Sequence, residues 1–76
     1  MKPEVVNISQ HGFWILFNGK EYFLPFEKFP WFRKASIADL TNIQLLHKTH
    51  LYWPSLDVDL SISIIESPEK YKLVAK

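Results

Sequence analysis

Between Val6 and Leu24 apolar residues recur at alternate positions in three short runs, punctuated by His11-Gly12 and Asn18-Gly19. Period-two alternation bounded by such dipeptides predicts a three-stranded antiparallel meander. Asn-Gly is the stronger of the two turn signals, because a type I′ turn needs positive φ at both central residues. With two-residue turns at both dipeptides the pairing follows by counting. Phe17 faces Lys20, Ile15 faces Tyr22 and Phe13 faces Leu24; on the other side Phe13 faces Gln10, Ile15 faces Ile8 and Phe17 faces Val6. One face then carries Val6, Ile8, Phe13, Ile15, Phe17, Tyr22 and Leu24, which is a core face.

The opposite face carries Asn7, Ser9, Trp14, Leu16, Glu21 and Phe23, with Trp14 directly across from Phe23. Two readings stand. If the terminal segments fold across it, these aromatics are core; if it is open, they form a contact patch. The polar residues framing the pair favour the open face.

Pro25 ends the third strand or lies on its edge, and Phe26 to Phe32 reads as an irregular aromatic bridge with Pro30 inside it. Ser36 before Ile37-Ala38-Asp39-Leu40 is an N-cap with a carboxylate at the third helical position, which predicts a helix of roughly two turns. Ile43 to His47 and His50 to Trp53 suggest a second hairpin, whose Lys48-Thr49 turn lacks a residue favouring positive φ, so a longer loop is an alternative. Beyond Pro54, Leu56, Val58, Leu60, Ile62 and Ile64 alternate as in a strand, while Ser61 also reads as the cap of a helix that faces Leu60, Ile64 and Ile65 inward. Ser67-Pro68-Glu69 places proline at a first helical position and predicts a further helical turn.

The 76 residues give room for one domain, spanning 1–76, near the lower limit for a self-sufficient core. An apolar share of 47% and a charged share of 22% are those of a folded chain. Nine Lys and Arg against eight Asp and Glu leave a formal charge of +1, too little to draw the chain onto phosphate backbones. Cysteine is absent, which suits a reducing compartment. The first residues lack a signal-peptide core and no apolar run is long enough for a membrane helix, so a cytoplasmic chain is expected.

Phe29-Pro30-Trp31-Phe32 before the helix, and His50-Leu51-Tyr52-Trp53-Pro54 leading into Leu56-Asp57-Val58-Asp59-Leu60, resemble a bacterial family catalogued as domain of unknown function 2442. The resemblance covers nearly the whole chain. It implies an α+β fold in the order β-β-β-α-β-β-α: one antiparallel sheet of about five strands, a short helix after the third strand and a short C-terminal helix. It favours the helical reading of Ser61 to Ile65 over the alternation. Members are similar in being cytosolic, some joined to a helix-turn-helix and some encoded beside a second small protein in the manner of toxin–antitoxin pairs. The resemblance therefore implies regulation by contact, antitoxin-like in kind, whereas this chain has no room for a helix-turn-helix.

Candidate chemistry is sparse. His47 and His50 would lie across a two-residue turn, roughly 5 Å apart at Cβ and within reach of one zinc ion, with Asp57 or Asp59 supplying a carboxylate. Solvated residues around an exposed turn explain the same four side chains without a metal. No serine sits in a glycine-flanked elbow, and Asp57, Asp59, Glu66 and Glu69 read better as solvated carboxylates than as an acid–base pair. Both glycines are used by turns, which leaves none for a phosphate loop, so no cofactor is expected. Trp14, Phe23, Trp31 and Tyr52 have the character of base-stacking residues, yet only Arg33-Lys34 and Lys70, Lys72 and Lys76 offer a positive groove. The expectation is a non-catalytic interaction or regulatory module that docks another protein or itself through Trp14, Leu16, Phe23, Trp31 and Phe32. A nucleic-acid-associated regulatory domain is the alternative.

Overall fold

The computed structural model describes residues 2–67, and the helical turn expected at Ser67-Pro68-Glu69 lies outside them apart from Ser67. Strands β1 (Glu4–Ser9), β2 (Gly12–Phe17) and β3 (Lys20–Pro25) are followed by a 3₁₀ turn at Pro30–Phe32 and helix α1 (Ile37–Thr41). Strands β4 (Gln44–Leu46), β5 (His50–Trp53) and β6 (Val58–Ser61) and helix α2 (Ile62–Glu66) complete the order. The α+β class holds, but the single sheet of about five strands does not: two antiparallel three-stranded sheets form, β1-β2-β3 and β4-β5-β6. The first sheet ends at β3, against which α2 packs, and Lys20 of β3 is paired with Glu66 of α2 at 2.9 Å.

Asn18 at φ 55° and Gly19 at φ 78° make the type I′ turn, and β2 pairs β3 in the expected register, Trp14 against Phe23 included. The first turn differs. It is Gln10-His11 that turns, with His11 N–H donating to Ser9 Oγ at 3.2 Å, and Gly12 is a strand residue opposite Ser9. Gly12 is therefore needed for close approach and not for positive φ. A Cβ there would collide with the Leu24 carbonyl oxygen and fall 2.8 Å from the Phe23 ring. The pairing accordingly moves to Ile8 against Phe13, and a bulge between Val5 and Asn7 puts Val5 opposite Ile15. Val5 replaces Val6 on the core side, Val6 is 44% exposed, and Ile8 stays at the sheet margin at 36%.

Ser36 and Asp39 form a reciprocal capping box: Asp39 N–H donates to Ser36 Oγ at 3.1 Å and Ser36 N–H to the Asp39 carboxylate at 3.2 Å. The helix it opens has five residues, shorter than the two turns expected. Between β4 and β5 the longer loop is realised, with His47 and Lys48 both at positive φ and Leu46 paired to His50. Each reading around Ser61 holds in part: the strand covers only Val58–Ser61, and Ile62–Glu66 is helix. Val58 and Leu60 alternate inward along β6, and Ser61 then caps α2 by accepting from Ile64 N–H at 3.3 Å. This sixth strand is what the five-strand expectation lacked.

One hydrophobic cluster joins the two sheets. Phe13, Phe29, Phe32 and Trp53 are fully buried, and Phe32 lies edge-on to both Phe13 at 5.0 Å and Trp53 at 4.8 Å between ring centroids. Trp53 Nε1–H donates to the Leu40 carbonyl at 3.0 Å, which satisfies a group that the end of a helix leaves without a partner.

Two substitutions test this architecture by urea denaturation. Gly12→Ala is expected to cost about 3 kcal/mol, the upper part of the overpacking range, because backbone atoms block the new methyl. A neutral result would show that no close approach exists at Gly12. Trp53→Phe is expected to cost about 2–3 kcal/mol, combining lost volume with an unpartnered Leu40 carbonyl; a loss under about 0.5 kcal/mol would mean that the buried hydrogen bond contributes nothing.

Candidate interaction surface

The register arranges the open side of the first sheet in three rows. Glu4, Leu16 and Glu21 form one, Asn7, Trp14 and Phe23 the next, and Ser9, Gly12 and Pro25 the third. Cross-strand partners share a face, so the middle row brings Trp14 onto Phe23, with ring centroids 4.9 Å apart and planes inclined at 37°. Trp14 is 37% exposed and Leu16 36%, while Phe23, half-buried, leans its ring tip over Gly12. An aromatic reaching across a glycine on a neighbouring strand covers backbone that no side chain protects.

Beside the third row lies a hollow of about 440 Å³ lined by Gln10, His11, Phe23, Pro25, Glu27 and Arg33. The hydrogen bond from Phe26 N–H to the His11 carbonyl at 2.9 Å continues the β2–β3 pairing one residue past Pro25 and holds the start of the bridge beside the first turn. Glu27 and Arg33 of the bridge line the hollow at the edge of the aromatic face. Sequence reasoning missed this hollow, and no local signal near Arg33 announces a contact made across more than twenty residues of chain.

The five expected contact residues separate. Trp14, Leu16 and Phe23 share the face. Trp31 stands outside the three rows, half-buried on the 3₁₀ turn with its ring 6.5 Å from that of Phe29. Phe32 has no exposed surface and is a core residue, so it is unavailable to a partner in this fold. Its place next to Phe13 and Trp53 explains the aromatic density of the bridge.

The zinc arrangement loses its geometric basis, because His50 faces Leu46 while His47 sits in the loop. Asp57 occupies a positive-φ turn position and Asp59 pairs across from Tyr52; both are exposed. Among the described residues no three His, Cys, Asp or Glu side chains gather as metal ligands. Elsewhere Lys20 and Glu66 form an exposed ion pair, and the hydrogen bond to the Glu66 carboxylate raises the Lys20 ammonium above its ordinary pKa. Such a pair fastens little on its own.

These features define a small two-sheet α+β domain with a polar-rimmed aromatic face. The chain matches over residues 3–71 the family described as Protein of unknown function (DUF2442), and it belongs to that family. No curated protein and no solved structure matches it. No helix among the described residues is long and apolar enough to cross a membrane.

Added zinc is expected to leave the melting temperature of the protein unchanged, since a metal held only by the folded state must raise it. A substantial rise abolished by His47→Ala would restore the metal site.

Proposed function

We propose that this chain is a non-catalytic protein-interaction module of the bacterial cytoplasm whose contact face is centred on Trp14, Leu16 and Phe23. The observation that carries the reading is the pairing of exposed Trp14 with half-buried Phe23 in the middle of a sheet face bordered by Glu4, Asn7, Ser9 and Glu21. Aromatic residues are enriched at the centres of protein interfaces, and a polar rim around them is the usual arrangement. An antitoxin-like regulatory role, as the resemblance implies, would be exercised through this same face.

Further support comes from the ionisable groups. Among the described residues no polar or charged side chain is buried, whereas acid–base and nucleophilic catalysts draw their shifted reactivity from desolvated surroundings. The nucleic-acid alternative is disfavoured by the charge on the face itself. Glu4 and Glu21 flank Leu16 beside the aromatic pair, where phosphates would have to approach.

Trp14→Ser is the direct test. It is expected to lower the unfolding free energy by about 1 kcal/mol, the share of an exposed aromatic pair, against about 3–5 kcal/mol for truncating buried Phe13 to Ala. The same variant should lose self-association in analytical ultracentrifugation or partner capture in pull-downs. Unfolding of Trp14→Ser would place the face in the core, and binding of labelled RNA or DNA with a steep salt slope would replace this reading with the nucleic-acid one.

A further inference from the structure

We infer that the occupant of this face is a second copy of the chain, seated face to face about a twofold axis that crosses the strands at Trp14. The inference rests on the interaction reading above and adds the identity of the partner. Trp14 lies two residues from Leu16 in one direction and two from Gly12 in the other, so a twofold axis there superposes the first row of one copy on the third row of the next. Leu16 projects at one end; at the other the Phe23 ring tip covers Gly12, and the hollow of about 440 Å³ opens past it beside Pro25.

Charge follows the same rule. With the axis across the strands, the β3 side of one copy stays over the β3 side of the other. Glu21, beside Leu16 on β3, then meets the hollow that Arg33 and His11 line next to Pro25. Glu27 also lines the hollow and partly offsets Arg33, and Glu4, on the β1 side, meets uncharged Ser9 and Gln10. The central row brings Trp14 of each copy to the axis, where one surface contacts itself, as an isologous dimer requires.

The footprint sets the strength. Three strands at a spacing of about 4.8 Å and six residues at about 3.3 Å give a patch of roughly 14 by 20 Å. That is well under the about 800 Å² per partner of a stable complex, so only a weak, transient association is expected, with a dissociation constant on the order of 0.1–1 mM.

Sedimentation velocity from about 1 µM to about 1 mM spans that range. The wild-type chain is expected to pass from monomer to dimer. Glu21→Arg and Arg33→Glu, each confirmed folded by circular dichroism, are expected to weaken dimerisation about tenfold or more by setting like charges together. An equimolar mixture of the two variants is expected to recover the wild-type constant, because both charge contacts of the heterodimer then join opposite signs. Failure of the mixture to recover, or single variants that dimerise like the wild type, would overturn the proposed seating. A wild-type chain monomeric throughout would overturn the second copy altogether. In that monomer the quencher accessibility of Trp14, read by ¹⁹F NMR of fluorotryptophan-labelled protein, separates the two readings: an accessible Trp14 leaves the interaction module standing for a different protein, and a shielded one ends both.

Discussion

The junction of Trp53 with Phe32 and Phe13 holds this fold together. Each sheet has three strands and β4 spans only three residues, a size at which independent stability needs a packed apolar face. Neither sheet supplies that cover for itself. Phe13 comes from the first sheet, Trp53 from the second and Phe32 from the bridge between them, and their edge-on rings join three segments that are distant in sequence. Trp53 does more than fill space. Its indole N–H must find an acceptor once buried, and the Leu40 carbonyl at the end of α1 must find a donor. One hydrogen bond meets both demands and fixes where α1 stops relative to β5.

That dependence explains which parts of the structure the sequence disclosed. The Asn18-Gly19 turn, the β2–β3 register and the Ser36 capping box are decided within a few residues, so local pattern was sufficient. The role of Gly12 was not local. A glycine after histidine signals a turn as readily as a close approach, and only the Leu24 carbonyl and the Phe23 ring distinguish them. The alternation through Ile62 and Ile64 was genuine up to Ser61, where a side-chain cap stops the strand and starts the helix. Two valid local signals overlapped there. The packing of α2 against β3 joins residues more than forty positions apart, which no local pattern announces.

The candidate site was legible to the same degree and for the same reason. Trp14 and Phe23 pair through the register of a tight hairpin, and counting from the turn finds them. Trp31 and Phe32 belong to an irregular segment without periodicity, so nothing in the sequence distinguished the buried ring from the half-exposed one. The hollow lined by His11 and Arg33 joins the first turn to the bridge, residues more than twenty positions apart, and could only be seen in three dimensions.

Strand β2 runs through the middle of the candidate face. Its core-side positions Phe13, Ile15 and Phe17 are buried, yet its other side carries Trp14 and Leu16, so it is apolar on both faces. A strand of that kind ordinarily lies in a sheet covered on both sides. Its neighbours do not share the pattern: the same side presents Glu4, Asn7 and Ser9 on β1, and Glu21 on β3. The apolar strip is therefore centred on β2 and broadened by Phe23 and Pro25 on β3, with Glu4, Asn7, Ser9 and Glu21 as its polar border. A permanent layer of the fold would require apolar residues across all three strands, as the buried side has with Val5, Ile15 and Tyr22 in one row. A narrow strip with a largely polar border fits a partner that arrives and leaves, because the border groups are well hydrated whenever the partner is absent.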